Sequence, residues 1–451
     1  MIVTKFEVLT DAGQLPTVDT DVALDWVPGS AATNIECMPG FFAGWRPTRA
    51  AADLLLLGAA AYCVDKFSAR ADSPDAWTRE LHLRFPAQES ARFNGSTLPQ
   101  ALRFLTGDNW QIAAHSQPAD PLAALAPLPA EKNAVASVDA VSLFSGGLDS
   151  LCGVIDLLES DPSTRLGLVS HYDGGQATSK QPELHARLAE HYGSDRVLLR
   201  RLWLRPAPTN SRQRTPSPQV TETTTRGRSF LFLTAALALA SASGPDVPVY
   251  VPENGYIALN VPLTRARDGS ASTRTTHPHY LNLLSEAAPA VGVSNPLINP
   301  YQYKTKGQML RDNKNQALLH ELAPETVSCS HPEAARMQRR PQGNCGYCFP
   351  CLIRRAALAT VGWDNETVAW DVLIEPGLIE NVGERRGADL RAVLNGAFAE
   401  RPDTDLLRNA PLPPGTHPHY LSVWRRGNHE LRTWLAEGAT GPLARAVARL
   451  S

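Results

Sequence analysis

The sequence predicts an α/β protein built on a parallel sheet, and two observations carry that prediction. Between about residues 136 and 365, short apolar runs alternate with stretches of helical pattern, the signature of strands connected by crossover helices. At the first strand-to-helix junction stands a glycine turn, Ser145-Gly146-Gly147-Leu148-Asp149-Ser150, of the kind that opens a helix onto a ligand. Val138–Phe144 reads as the strand before that turn, and Leu151–Ser160 as its helix. Arg165–Tyr172 is the next strand, with a helix over Glu183–Gly193, and Arg196–Leu204 is the third. Residues 206–225 are polar and rich in Pro, Ser and Thr, so no regular element is expected there. Ser229–Ser243 is apolar all round and reads as a buried helix. Val247–Asn254 is the fourth strand.

Two further units flank this one. Residues 1–135 predict an N-terminal α+β domain, with strands over Met1–Thr10 and Leu81–Ala87 and a long Ala/Leu-rich helix over Ala50–Phe67. Residues 117–130 hold four prolines and read as a linker. Residues 366–451 predict a helical C-terminal extension. The hexapeptide Thr-His-Pro-His-Tyr-Leu occurs at 276–281 and again at 416–421, too far apart for a repeat architecture.

Composition narrows the function. The 451 residues carry 43 basic and 45 acidic side chains, a net charge of -2, which speaks against a nucleic-acid partner held by charge. The N-terminus lacks the apolar core of a signal peptide, and Phe230–Ala240 is too short to span a bilayer. A cytoplasmic protein without a membrane partner is expected. The seven cysteines then favour metal binding over disulfides, because four of them crowd into one stretch.

The glycine turn is suited to phosphate. Unpaired N–H groups at a helix N-terminus lie at the positive end of the helix dipole, and glycines let the main chain approach an anion closely. Ser145 and Ser150 add hydroxyls, and Asp149 can hold Mg²⁺ or orient the turn. The Gly-Lys-Ser/Thr ending of a Walker A loop is missing, as is the Gly-x-Gly-x-x-Gly of a dinucleotide site. Cys152 reads as packing rather than as a nucleophile. In the second cluster, Cys329, Cys345, Cys348 and Cys351 are spaced C-x15-C-x2-C-x2-C. Four thiolates with no open position fit structural Zn²⁺, with an iron–sulfur cluster as the rival.

Ser-Gly-Gly-x-Asp-Ser directly after an apolar strand resembles the PP-loop ATP pyrophosphatases. Combined with Ser328-Cys329 and Cys345-Gly346-Tyr347-Cys348-x-x-Cys351-x-x-Arg354, it resembles the QueC family of 7-cyano-7-deazaguanine synthases over about residues 138–362. Asp173-Gly174-Gly175-Gln176, the Arg228-Ser229 opening of an apolar helix, Glu253-Asn254-Gly255, and Thr305-Lys306 before Met309-Leu310 resemble further segments of that family. Arg274-Thr275-Thr276-His277-Pro278 stands where the synthases have Tyr-Pro-Asp-Cys-Arg. With its added flanks, the chain is most similar to the QueC-like proteins of bacterial anti-phage defence systems such as Qat.

The resemblance implies a Rossmann-like, adenine nucleotide alpha hydrolase-like sheet and an ATP-dependent C–N ligase. ATP and pyrophosphate would be held by Phe144, Ser145, Gly146, Gly147, Leu148, Asp149 and Ser150; His171, by its place at a strand end, would line the nucleotide cleft. Asp149, Ser145, Arg228 and Lys306 would carry the chemistry. Glu253, Asn254 and Arg274 would hold a 7-carboxy-7-deazaguanine-like carboxylate. Arg226 is a further candidate phosphate clamp. ATP, Mg²⁺ and Zn²⁺ are the implied cofactors. The added flanks and the replaced 274–278 segment point to an acceptor amine on a partner protein from the same defence operon. Ammonia as acceptor, giving the nitrile, and a tRNA-modifying PP-loop sulfurtransferase are the alternatives.

Overall fold

The computed structural model describes residues 3–11, 13–27, 33–117, 122, 125, 137–172, 176–207, 220–222, 226–264, 274–334, 336, 339–340, 343–408 and 410–450, with backbone only at 176–178. Most of the 117–130 linker, most of 206–225, and Asp173-Gly174-Gly175 lie outside the described residues. In chain order, the N-terminal part holds β1 (Val3–Leu9), β2 (Val22–Asp25), β3 (Ile35–Cys37), α1 (Arg49–Phe67), β4 (Glu80–Ala87), α2 (Ser90–Phe93), α3 (Leu98–Thr106) and β5 (Asn109–Ser116). The middle holds β6 (Ala140–Leu143), α4 (Leu148–Ser160), β7 (Leu166–Tyr172), α5 (Gln176–Tyr192), β8 (Val197–Pro206), α6 (Gly227–Ser241), β9 (Val249–Tyr250), α7 (Gly255–Leu259), α8 (Pro278–Ala290) and β10 (Leu297–Ile298). The remainder is helical among the described residues: α9 (Lys306–Arg311), α10 (Gln316–Leu322), α11 (Phe349–Ala359), α12 (Gly377–Glu380), α13 (Ala388–Ala397), α14 (His417–Gly438) and α15 (Gly441–Leu450).

The strands form two sheets. The first has the order β2-β1-β4-β5 and is parallel throughout. The expected α+β character of this unit therefore gives way to an α/β arrangement: α2 and α3 carry the chain from β4 across to β5 so that both strands run the same way. The second sheet has the order β10-β9-β6-β7-β8-β3, parallel except that β3 pairs antiparallel with β8. A strand from before residue 40 thus completes the sheet of the middle unit, with Cys37 opposite Leu204.

α1 explains how the two sheets join. Thr48 caps its N-terminus, and only Arg49 and Lys66 escape burial. A helix buried all round needs cover on every side, and α1 finds it on α6, β4, β8 and β3. α6, as uniformly apolar as its sequence predicts, packs in turn on β6 and β7. The α1–α6 approach is close enough that a Cβ on Gly58 would sit 2.1 Å from Thr234 Oγ1. Phe6, Leu83 and Phe85 of the first sheet share one core with Val141, Val169 and Leu202 of the second. A second core, with Leu151, Ile155, Leu184 and Met309, fills the other face of the six-stranded sheet, and a third gathers α7, α11, α13 and α14. No described helix is long and apolar enough to cross a membrane.

Candidate functional site

From β6 the chain winds through β7 and β8 on one side, then returns to place β9 on the other side of β6. Strand order therefore reverses between β6 and β9, and open parallel sheets bind ligands in the crevice outside the carboxyl ends of strands at such a point. The glycine turn leaves β6 there and enters α4, with Gly147 as its N-cap residue. Gly146 has φ of 82°, which favours glycine at that position. The Ser150 hydroxyl donates to the Gly147 carbonyl at 2.8 Å, and Ser145 Oγ accepts from Gly147 N–H at 3.3 Å.

Asp149 lies in the first turn of α4 and is buried, with 7% of its surface exposed. One carboxylate oxygen lies 2.5 Å from Lys306 Nζ. The other accepts from Asn254 backbone N–H at 3.1 Å and from Asn254 Nδ2 at 2.7 Å. Asn254 follows β9 and caps α7, accepting from Ile257 N–H, and its amide also donates to Glu253 at 3.1 Å. Lys306, itself buried, opens α9, where Thr305 and Gln308 form a capping box. Burial alone would raise the Asp149 pKa; the Lys306 charge, with hydrogen bonds from Glu253 and Asn254, outweighs it and brings the carboxyl to about 2. Glu253 goes the other way: burial, the neighbouring Asp149 charge and their hydrogen bond push it well above the carboxylate range. The two adjacent carboxyls are thus pushed in opposite directions, the pattern that separates acid and base roles. Lys306 and the two N–H groups of Asn254 thus both engage the Asp149 carboxylate.

Across the turn lies a second group. His171 Nδ1 accepts from Arg228 Nε at 2.9 Å, and its carbonyl accepts from Arg228 Nη2 at 3.2 Å. His171 is 2% exposed, with Nε2 at 2.8 Å from the Leu204 carbonyl. It holds an arginine at the end of β7 rather than lining a cleft. Gln181, buried on α5, donates to the carbonyls of Ser145 at 3.3 Å and His171 at 3.4 Å, so it ties this group to the turn. Nothing in the helical pattern of α5 marked Gln181 out.

Two expected residues make their contacts elsewhere. Arg274 stacks on the Phe104 ring at 4.8 Å and donates to the Phe104 carbonyl at 3.1 Å. Arg226 lies over Trp77 at 4.6 Å and donates to the Thr106 carbonyl at 2.9 Å. It stands beside the buried ion network of Arg70, Arg79, Asp65 and Asp108, and burial lowers its pKa to about 10. Cys152 is fully buried and its thiol is pushed well up, chiefly by that burial, in keeping with a packing role. The two Thr-His-Pro-His-Tyr-Leu segments open α8 and α14, and both border one cleft of about 400 Å³ through Thr276, Pro278, Leu281, Thr416 and Tyr420.

The four cysteines converge. Their sulfurs all lie within 4.8 Å of one another, with Cys329–Cys348 and Cys345–Cys351 each at 3.9 Å. Four tetrahedral bonds of about 2.3 Å would set sulfurs about 3.8 Å apart, so the cluster could bind a metal such as zinc. Backbone N–H groups of His331 and Cys345 point at Cys329 Sγ at 3.2 and 3.3 Å, the second-shell bonds that stabilise a thiolate. Gly346 has φ of 84°, and a Cβ there would lie 2.1 Å from the Trp370 carbonyl.

The cysteine cluster also touches the turn. Ser328, immediately before Cys329, accepts from Leu148 N–H at 3.2 Å, and Val327 N–H donates to the Gly146 carbonyl at 3.1 Å. Arg354, fully buried three residues after Cys351, donates to Thr326 Oγ1 at 2.6 Å and Ser328 Oγ at 3.3 Å. The Ser328-Cys329 pair stands out in the sequence, but its contact with the glycine turn, 180 residues away, does not. No protein-family model, no curated protein and no solved structure matches this chain.

Proposed function

We propose that the chain is a QueC-like PP-loop ATP pyrophosphatase that adenylates a 7-deazaguanine-type carboxylate and transfers the acyl group to an amine on a partner protein in anti-phage defence. The observation that carries this reading is the meeting of Asp149 after β6, Asn254 after β9 and Lys306 at the strand-order reversal. In the proposed reaction a carboxylate oxygen attacks the α-phosphorus of ATP, the bond to the bridging oxygen breaks, and pyrophosphate leaves. The amine nitrogen then attacks the acyl carbon, AMP departs, and the amine's proton passes to water. The 145–150 turn and Lys306 would position the pyrophosphate by charge and hydrogen bonds. Ser145 and Ser328 now satisfy the Gly147 and Leu148 N–H groups, so in this reading those hydroxyls yield to phosphate oxygens. Glu253 and Asn254 would face the deazaguanine ring. Mg²⁺ would enter as the counter-ion of ATP.

Zinc, rather than an iron–sulfur cluster, is the proposed metal. A cluster spreads its thiolates over several irons, too far apart for four sulfurs within 4.8 Å. The ion would act structurally, holding Ser328 against the turn. The turn of Arg274 toward Phe104 supports an altered substrate half and hence a macromolecular acceptor.

The test incubates the full chain with ATP, 7-carboxy-7-deazaguanine, and either ammonia or candidate partner proteins. Pyrophosphate release that requires the carboxylate, with mass added to a protein, supports the reading. Absence of release overturns it, and free nitrile without protein modification overturns the acceptor.

A further inference from the structure

Lys306 is held from both sides by a residue far away in sequence. Glu430, on α14, accepts a hydrogen bond from the Thr305 hydroxyl through one carboxylate oxygen and from the Gly307 N–H at 3.3 Å through the other. Thr305 needs no help to cap α9, because its Oγ1 already accepts from Gln308 N–H at 3.1 Å. The Glu430 contact is therefore additional to the local folding of α9. It is also tight: a Cβ on Gly307 would fall 2.6 Å from the Glu430 carboxylate and 2.8 Å from Thr360 Oγ1. Glycine at 307 permits that approach.

The rest of α14 grips the same run of chain. Arg426 donates to Gln308 Oε1 at 3.0 Å and to the Tyr303 carbonyl at 2.8 Å, and Tyr420 OH donates to Gln302 Oε1 at 3.1 Å. Val423, Trp424, Leu431, Trp434 and Leu435 bury α14 in its own core. A helix anchored in that way is a rigid mount, and functional side chains are placed accurately only when the residues around them are locked. Lys306 ends a four-carbon stem, so a small rotation of its backbone moves Nζ far. Fixing the peptide groups on both sides removes that freedom.

We infer that Glu430 is a positioning residue for Lys306, and that aiming this lysine at Asp149 is a role of the C-terminal helical extension. The consequence for catalysis rests on the proposed reading of Lys306 as a pyrophosphate contact; the positioning itself does not.

The test uses the full chain with Glu430→Gln and Glu430→Ala. Trp434→Phe serves as a control, because it loosens α14 by removing the Trp434 bond to Asp364 without touching residues 305–307. Two quantities are measured: the rate at which acetic anhydride labels Lys306, followed by peptide mass spectrometry, and the affinity for inorganic pyrophosphate. Labelling should rise severalfold in Glu430→Ala, less in Glu430→Gln, and least in Trp434→Phe, which loosens the mount but keeps the Glu430 contacts. Pyrophosphate affinity should fall about tenfold in Glu430→Ala, the worth of one good hydrogen bond. Wild-type labelling in both Glu430 variants, or an equal rise in Trp434→Phe, overturns the inference. Altered labelling in a protein that binds no pyrophosphate upholds the positioning and refutes the catalytic reading of Lys306 instead.

Discussion

Replacing Asp149 by Ala should unsettle the fold as well as the chemistry, and the structure sets the size of the effect. Lys306 is 5% exposed and has a carboxylate oxygen at 2.5 Å. Removing the carboxylate leaves a buried ammonium without its counter-charge, which costs about 3–5 kcal/mol. That is a large share of the roughly 5–15 kcal/mol that stabilises a folded domain. Lys306→Met alone should cost less, because Asp149 keeps both hydrogen bonds from Asn254 and its bond with Glu253. The double variant Asp149→Ala/Lys306→Met buries no lone charge and should recover about 1–3 kcal/mol relative to the sum of the singles. Urea unfolding of the four proteins at pH 7, followed by tryptophan fluorescence, measures this cycle. A double variant as unstable as the sum would show that the two side chains do not depend on each other, and the argument from the ion pair would fail. Pyrophosphate release should be lost in all three variants.

Glu253→Gln should stabilise the protein at pH 8 and leave it unchanged near pH 4. The folded-state pKa of Glu253 is raised, so its contribution is complete below the ordinary carboxyl value and is lost as pH rises through the folded value; thermal melts with no gain at pH 8 would contradict this. Asp149 has the opposite sign: its lowered pKa gives stability that is present above about pH 4 and lost as pH falls through about 2, so Asp149→Asn should flatten the acid limb of a pH–stability curve. Elemental analysis should find about one zinc per chain, and Cys348→Ser should reduce it sharply along with solubility, since a four-thiolate site is worth on the order of 10 kcal/mol; iron in its place would count against the assignment. Gly255→Ala would bring a Cβ to 2.1 Å from the Gln302 carbonyl, and should lower the melting temperature by several degrees, the effect of more than about 1 kcal/mol.

The glycine turn and the cysteines were legible because each is local. A strand, two glycines and a helix are adjacent in sequence, and three of the four thiols sit within seven residues. Asp149 was legible as a site residue but not as a buried one, because its burial comes from Lys306 and Asn254, both more than a hundred residues away. Glu430 and Gln181 had no signal at all: a polar residue on an amphipathic helix looks the same whether it faces water or a distant backbone. Arg274 stands out by its place in a motif and His171 by its place at a strand end, but their partners, the Phe104 carbonyl and Arg228, follow from packing that periodicity does not encode. The seating of β3 on β8 escaped for a similar reason. Three residues carry no pattern, and the helix that packs on both β3 and β8, α1, comes later in the chain.

That short strand bears on how the protein can be cut. A fragment starting at residue 136 follows the boundary that the sequence suggests, yet it would lose β3 and α1 together. The edge of β8 would then lie open beside the stripped faces of Phe230, Leu231 and Leu237, an invitation to intermolecular pairing. Any transplant of the nucleotide half into another protein must carry residues 33–67 with it, or supply a substitute strand and an apolar helix.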